Sequence, residues 1–507
     1  MHEASLPGRL SRAYRSFFFA ATSGRAEAWF RVGYACVLLI EQVELAQKLE
    51  LLFSNQGVHP PTPIDAAYSL GTVQAVFGVW VIAAVFLAFG VRARAAAITN
   101  LLALIYFFGL RGFAAPHAAD WLLHASGFYL AFMQSDARLS ADRRLGWAAP
   151  AHPLAWPKRL AQLNLVSVYF SAGLAKLTDA SWTSGRAFAD TLKHPLLTHF
   201  TPGVAFTSPR LMSVVDWAIV VWELGFPVLL AVRRLRAWGL LSALVFNLGV
   251  WFTLRVGLFT VMATVSLLLF VDDPPFRAPG ERDAGTRAGE VRAGATRRVR
   301  TFVAGHLSAL ALVFSGYLLM ALGLPLGRAL AGAPIVSAYT RGVAGFAYYD
   351  VWNSRFFLEP VRLIYYEATS PDGKSAPLEP FDAEGAFRPG WRYFTEAREG
   401  LLSVRLALAP LEPRVWAGYT VYLVQKYQRQ HAWPCPAELR VYRIAAPLAD
   451  FGDRPKDLRV PRQLVATATP RCLGHGIDPG VSLNFAAPRA SVDPAKNTLD
   501  LNSKAGR

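Results

Sequence analysis

The chain has 507 residues, 53% of them hydrophobic and only 17% charged, with mean hydropathy +0.28 and formal net charge +17. Soluble domains carry about 25% charged residues, so a wholly soluble protein is excluded. The basic residues lie in short loops between apolar runs, not in one patch with aromatic partners, and this excludes a nucleic-acid reading.

The first 28 residues read as a cytoplasmic segment without a cleavable signal peptide. "RLSRAYRSFFFAATSGRAEAWF" starts basic but has no long apolar core before the polar "TSGRAE". Apolar runs then predict nine membrane helices, at about 20 residues each or fewer where packed. In chain order they are 29–47, 72–91, 95–115, 119–134, 160–177, 211–232, 238–254, 256–271 and 301–323. The first, fourth and fifth carry polar residues and are expected to be shielded by neighbours.

Charge orients them. With the N-terminus in the cytoplasm, the inner segments hold Arg9, Arg12, Arg15, Arg25 and Arg31, then Arg92 and Arg94. They continue with Arg138, Arg143, Arg144, Lys158 and Arg159, then Arg233, Arg234 and Arg236, then seven arginines from Arg277 to Arg300. The outer loops hold Lys48, Arg111, Arg186, Lys193, Arg210 and Arg255. Alternate loops are rich, which predicts an inner-membrane protein with its C-terminal domain periplasmic.

Residues 274–300 are rich in Pro, Gly, Ala and charge and read as a disordered cytoplasmic linker. Residues 328–475 read as an extracytoplasmic α+β domain. "VRLIYYEAT", the turn "SPDGK" and "SAPLEPF" predict a strand, a turn and an extended segment. "LLSVRLALA" and "AELRVYRIA" predict further strands, and residues 414–430 an amphipathic helix. Residues 476–507 are expected to be a disordered tail. Cys36 lies in the first span; Cys435 and Cys472 lie in the outer domain and are expected to pair in an oxidising compartment.

The sequence holds no HExxH, GxSxG or phosphate loop, and no metal is expected. Ionisable residues inside spans are costly and are therefore candidates. Those singled out are Glu41, Glu44, Asp120, His124, Lys176, Glu223 and His306. Glu223 stands four residues before Pro227, which cannot donate to its carbonyl, so polar groups gather at one point of an apolar helix. It serves either as a site or as a kink satisfied by a neighbour. Glu41 and Glu44 share a helix face, and Glu44 can pair with Lys48; the plain account is a helix end at the outer interface. His124 reads as a packing histidine. Asn100, Asn164 and Asn247 can join helices.

Lys176 ends the fifth span, in "VYFSAGLAKLTDASWTSGRAF". One account is snorkelling of its ammonium to the surface. The other is a buried amine of lowered pKa, able to act as general base toward an apolar quinol.

That segment resembles one in the HTTM family, the membrane domain shared with vitamin K-dependent gamma-glutamyl carboxylase. "VFNLGVWFTLRVGLFTVMATVSLLLF" and "HASGFYLAFMQSDARLSADRR" are similar to two further family segments. The resemblance implies a transmembrane domain over residues 29–273 and a catalytic base at Lys176, with a reduced, vitamin K-like quinone as cofactor. The expected substrate-binding residues are Trp182, Asn247 and His117, read beside that resemblance, and Glu223, read from its place in an apolar span. Asn247 stands where the family has a histidine, Ala175 where it has the first lysine of a pair, and Ala119 where an assisting histidine falls by ungapped spacing, two positions from His117.

Two functions follow as expectations. One is a carboxylase-like lyase or quinol-epoxidising enzyme in the lipid membrane, with Lys176 as base. The other is a non-catalytic scaffold, immunity or export component whose outer domain binds a protein partner. A transporter centred on Glu223 is a third, and no inverted repeat supports it.

Overall fold

The computed structural model describes residues 6–55, 65–110, 118–147, 153–193, 198, 208–271, 296–334, 361–377, 419–421, 424, 435–446, 462–473 and 480–486. The N-terminal part is helical. Its helices are α1 (Leu6–Phe19), α2 (Arg25–Ala46), α3 (Leu49–Phe53), α4 (Leu70–Phe89), α5 (Ala93–Leu104), α6 (Ala118–Phe132) and α7 (Ala141–Arg144). They continue with α8 (Trp156–Thr178), α9 (Ala180–Thr183), α10 (Ala187–Lys193), α11 (Pro209–Ala231), α12 (Arg236–Thr253), α13 (Phe259–Leu267), α14 (Thr296–Ala321) and α15 (Pro325–Gly332).

Local chemistry sets several boundaries. Ser69 and Ser208 cap α4 and α11 by accepting from Thr72 N–H and Leu211 N–H, and Pro209 takes the first turn of α11. Gly90 closes α4 in the left-handed conformation, φ 70°. A Cβ there would lie 2.6 Å from Ser140 Cβ and 2.9 Å from the Arg31 guanidinium. Arg31 is fully buried and donates to the carbonyls of Ser135 and Leu139, tying α2 to the turn after α6.

A helix falls on each of the nine predicted segments, but the expected count of nine clear spans needs correction. Among the described residues, three helical stretches are long and apolar enough to cross a membrane: Leu70–Phe89, Pro209–Ala231 and Arg297–Gly316. Ala93–Phe108 and Phe259–Phe270 are apolar but shorter. The cause is polar side chains turned into the bundle. Glu27, Arg31, Gln42, Glu41 and Glu44 are buried on α2, as are Lys158, Gln162, Asn164 and Lys176 on α8. Neighbouring helices, not lipid, shield them. The α5 segment is also irregular, passing into π-helix over Ile105–Leu110.

The outward faces are apolar. On α11, Val214, Val221 and Val228 are 66%, 64% and 58% exposed, while Asp216, Glu223 and Leu230 on the other side are buried. Such a helix, apolar outside and polar within, belongs in a membrane.

The C-terminal part holds an antiparallel sheet of order β2-β1-β3-β4-β5. Its strands are β1 (Val361–Thr369), β2 (Ser375–Pro377), β3 (Glu438–Ala446), β4 (Arg462–Leu473) and β5 (Gly480–Ala486). β1, β2 and β3 stand on the segments read as a strand, an extended segment and a further strand. β5 corrects the expectation of a disordered tail at that point, because Gly480–Ala486 pair with β4 from Leu473 back to Thr467. Pro470 sits inside β4 beyond Ala468, where the pairing with β3 ends, so it removes no bond from that ladder. The predicted strand 401–409 lies outside the described residues, as does 274–295 of the predicted linker 274–300; its end, from Thr296, is helical and corrects the expectation of disorder there. Of the predicted helix 414–430, residues 419–421 and 424 are described, and they are helical.

Candidate functional site

The site forms where α8 meets α11. The last turns of α8 read Ser171, Ala172, Gly173, Leu174, Ala175, Lys176, and small residues on this face let the helices approach closely. A Cβ on Gly173 would meet Leu224 Cγ at 3.0 Å and Glu223 Cβ at 3.1 Å. One turn later, Lys176 reaches Glu223. Its Nζ donates to both carboxylate oxygens at 2.8 Å. Lys176 is 5% exposed and Glu223 4%. This is the geometry of an ammonium held on a carboxylate away from water. Snorkelling to the surface is not what the lysine does.

Asp179 ends α8 and starts α9. Its Oδ1 accepts from the Ser181 N–H at 2.8 Å and from Ser181 Oγ at 2.7 Å. The turn brings Trp182 back over the lysine, with Nζ 4.9 Å from the indole centroid, a cation–π distance. Trp182 is buried with Ala187 and Val220, against Ile219 and Leu224.

Deeper between the helices, the Tyr169 hydroxyl donates to Asn247 Oδ1 at 2.8 Å, joining α8 to α12. The Tyr169 ring meets Trp222 at 5.3 Å and Phe226 at 4.8 Å. Asn247 is 1% exposed, and its Nδ2 has no hydrogen-bond partner among the described residues.

Of the residues singled out from sequence, Lys176, Glu223 and Trp182 come together. Asn247 stands beyond them on Tyr169, and His117 lies outside the described residues. Glu41 and Glu44 are buried at 2% and 7%, as is Lys48 at 4%, so they are not a solvated helix end. His124 is buried in α6. Asn100 donates to Ala96 O of its own helix, not to a neighbour. His306 packs against Phe128 and Phe302, with Nε2 3.0 Å from the Tyr129 hydroxyl.

Two residues escaped the sequence reading. Tyr169 precedes Lys176 by seven on the same helix, and Asp216 precedes Glu223 by seven. Seven residues is nearly two turns, so both pairs share a face. That spacing was the available signal. Asp216 is fully buried and accepts from the Phe188 N–H at 3.0 Å.

Residues 25–274 match the family model of the HTTM domain. The chain carries an HTTM domain. The domain runs from the start of α2 to just past α13 and contains the whole Lys176 site. No curated protein and no solved structure gave a match. Among the described residues, no group of three or more His, Cys, Asp or Glu side chains could hold a metal ion.

Proposed function

We propose that this membrane protein is a quinol-dependent, carboxylase-like enzyme with Lys176 as its general base. The supporting observation is the buried Lys176–Glu223 pair under Trp182. An ion pair removed from water is close in energy to its neutral form, because desolvation opposes both charges. Proton transfer along the 2.8 Å bond leaves an amine and a carboxylic acid. The amine can then take the hydroxyl proton of a hydroquinone, giving a quinolate and an ammonium. Glu223 supplies the second site for a proton, and Trp182 supplies a flat apolar face beside the reacting group.

The residues fit a hydroquinone in kind. Asn247 Nδ2 is a buried donor without a partner among the described residues, suited to a quinone oxygen. When bound, a reduced quinone would supply the electrons for the quinol epoxidation that the family resemblance implies. The substrate enters from the lipid. By the charge alternation the site faces the outer side of the cell inner membrane, as does the C-terminal sheet, a surface for a protein partner.

The test is turnover of a naphthohydroquinone by the full chain in lipid nanodiscs. Lys176→Ala alone would strand Glu223, so the variant to use is Lys176→Met with Glu223→Gln, which removes both charges together. Loss of turnover with unchanged melting supports the base. Undiminished turnover sinks it and leaves the pair as a structural tie in a scaffold.

A further inference from the structure

Asp216 is a carboxylate with no role in the proton transfer above, yet it is fully buried and seven residues before Glu223 on the same face of α11. Its carboxylate bonds the backbone of α10, at Ala187 and Phe188. Oδ1 accepts from the Phe188 N–H, at the start of α10. α9 and α10 form a short hairpin after Lys176, and this hairpin carries Trp182.

Three contacts fasten the hairpin to α11. Asp216 holds its second helix by the Phe188 N–H at 3.0 Å. Gly185, between the two helices, has φ 74° and lies so close to Ser213 that a Cβ would stand 2.7 Å from the Ser213 Cα. Trp182 and Ala187 pack on Val220. Asp216 is the polar member of this set, and it lies between Ser213 and Val220 in the sequence of α11. The same hairpin puts the indole 4.9 Å from the Lys176 nitrogen.

We propose that Asp216 is a positioning residue: by holding α10 it fixes the Trp182 hairpin over Lys176 and so sets how the hydrophobic substrate meets the base. This deepens the reading of Lys176 as base and rests on it. The carboxylate acts here as an acceptor, through Oδ1, and not as a charge. An amide oxygen can do the same. A proton-carrying role would instead need the ionisable group itself. The charged groups near Asp216 are Asp190 on α10 and Lys176 on α8.

The experiment compares Asp216→Ala, Asp216→Asn and Gly185→Ala in the full chain in nanodiscs. Hydrogen–deuterium exchange of residues 179–193 is read beside naphthohydroquinone turnover. Asp216→Ala and Gly185→Ala are expected to raise exchange in this segment at least tenfold and to raise KM more than they lower kcat. Asp216→Asn is expected to restore both protection and KM. Unchanged exchange in Asp216→Ala overturns the proposal. So does a loss of turnover in Asp216→Asn with protection intact, which would assign Asp216 to proton transfer. The exchange readout needs no turnover, so failure of the base assignment, read from the Lys176/Glu223 variant, is distinguishable from failure of this one.

Discussion

Gly173 lies so close to Glu223 that an added Cβ would stand 3.1 Å from the Glu223 Cβ. The approach of α8 and α11 at this point is what lets a lysine one turn later reach the carboxylate with two bonds. Gly173→Ala must therefore push α11 outward or twist Leu224 and Glu223 off their rotamers. Overpacking of this kind costs about 1–3 kcal/mol. Thermal unfolding in nanodiscs should show a lowered midpoint. An unchanged midpoint would mean that the helix contact is looser than the structure indicates.

The Lys176–Glu223 pair predicts a strongly non-additive cycle. Removing one partner leaves the other charge buried, at a cost of about 3–5 kcal/mol. Replacing both by neutral side chains of similar size should cost much less. The single variants Lys176→Met and Glu223→Gln are thus expected to melt well below the double variant. Denaturation of all four proteins measures the coupling, and simple additivity of the single effects would contradict a buried ion pair.

The cost of ionisable groups in apolar spans made Lys176 and Glu223 visible in the sequence. The pairing itself was not visible, because it depends on which helices cross and where. Gly173 carries that information, but a lone glycine in an apolar run has many meanings. Asp216 shares α11 with Glu223, and the seven-residue spacing that puts them on one face is readable in the sequence. The span count failed for a related reason. Arg31, Lys158 and Glu41 lower the apolar content of their helices, and only the fold shows that they are covered by protein. In the sheet, β1 and β3 were legible as apolar, β-branched and aromatic runs, whereas β4 carries Pro470, a residue that cannot donate to a ladder.

A second prediction about helix joining concerns α14. The Tyr129 hydroxyl and His306 Nε2, 3.0 Å apart, form a buried bond between α6 and α14. Tyr129→Phe keeps the ring packing on Phe128 and removes that bond. The expected loss is about 1 kcal/mol. It should appear as faster hydrogen exchange in residues 296–316 without a change elsewhere. Equal exchange in both proteins would show that ring packing alone holds the helix.

The C-terminal sheet supplies the test of orientation. Cys435 is disulfide-bonded, and its Sγ lies 3.7 Å from the Pro470 carbonyl oxygen, two residues before Cys472 on β4. Cys36, exposed on α2, is free. Cys472 is therefore the expected partner of Cys435, closing the chain between β3 and β4. Such a crosslink contributes about 2–4 kcal/mol. It persists only in an oxidising compartment. Peptide mapping of protein isolated under alkylating, non-reducing conditions should recover the Cys435–Cys472 pair, and Cys435→Ser should make the sheet protease-sensitive. Recovery of both cysteines as alkylated thiols would place the sheet on the reducing side and reverse the topology inferred from the arginine-rich loops.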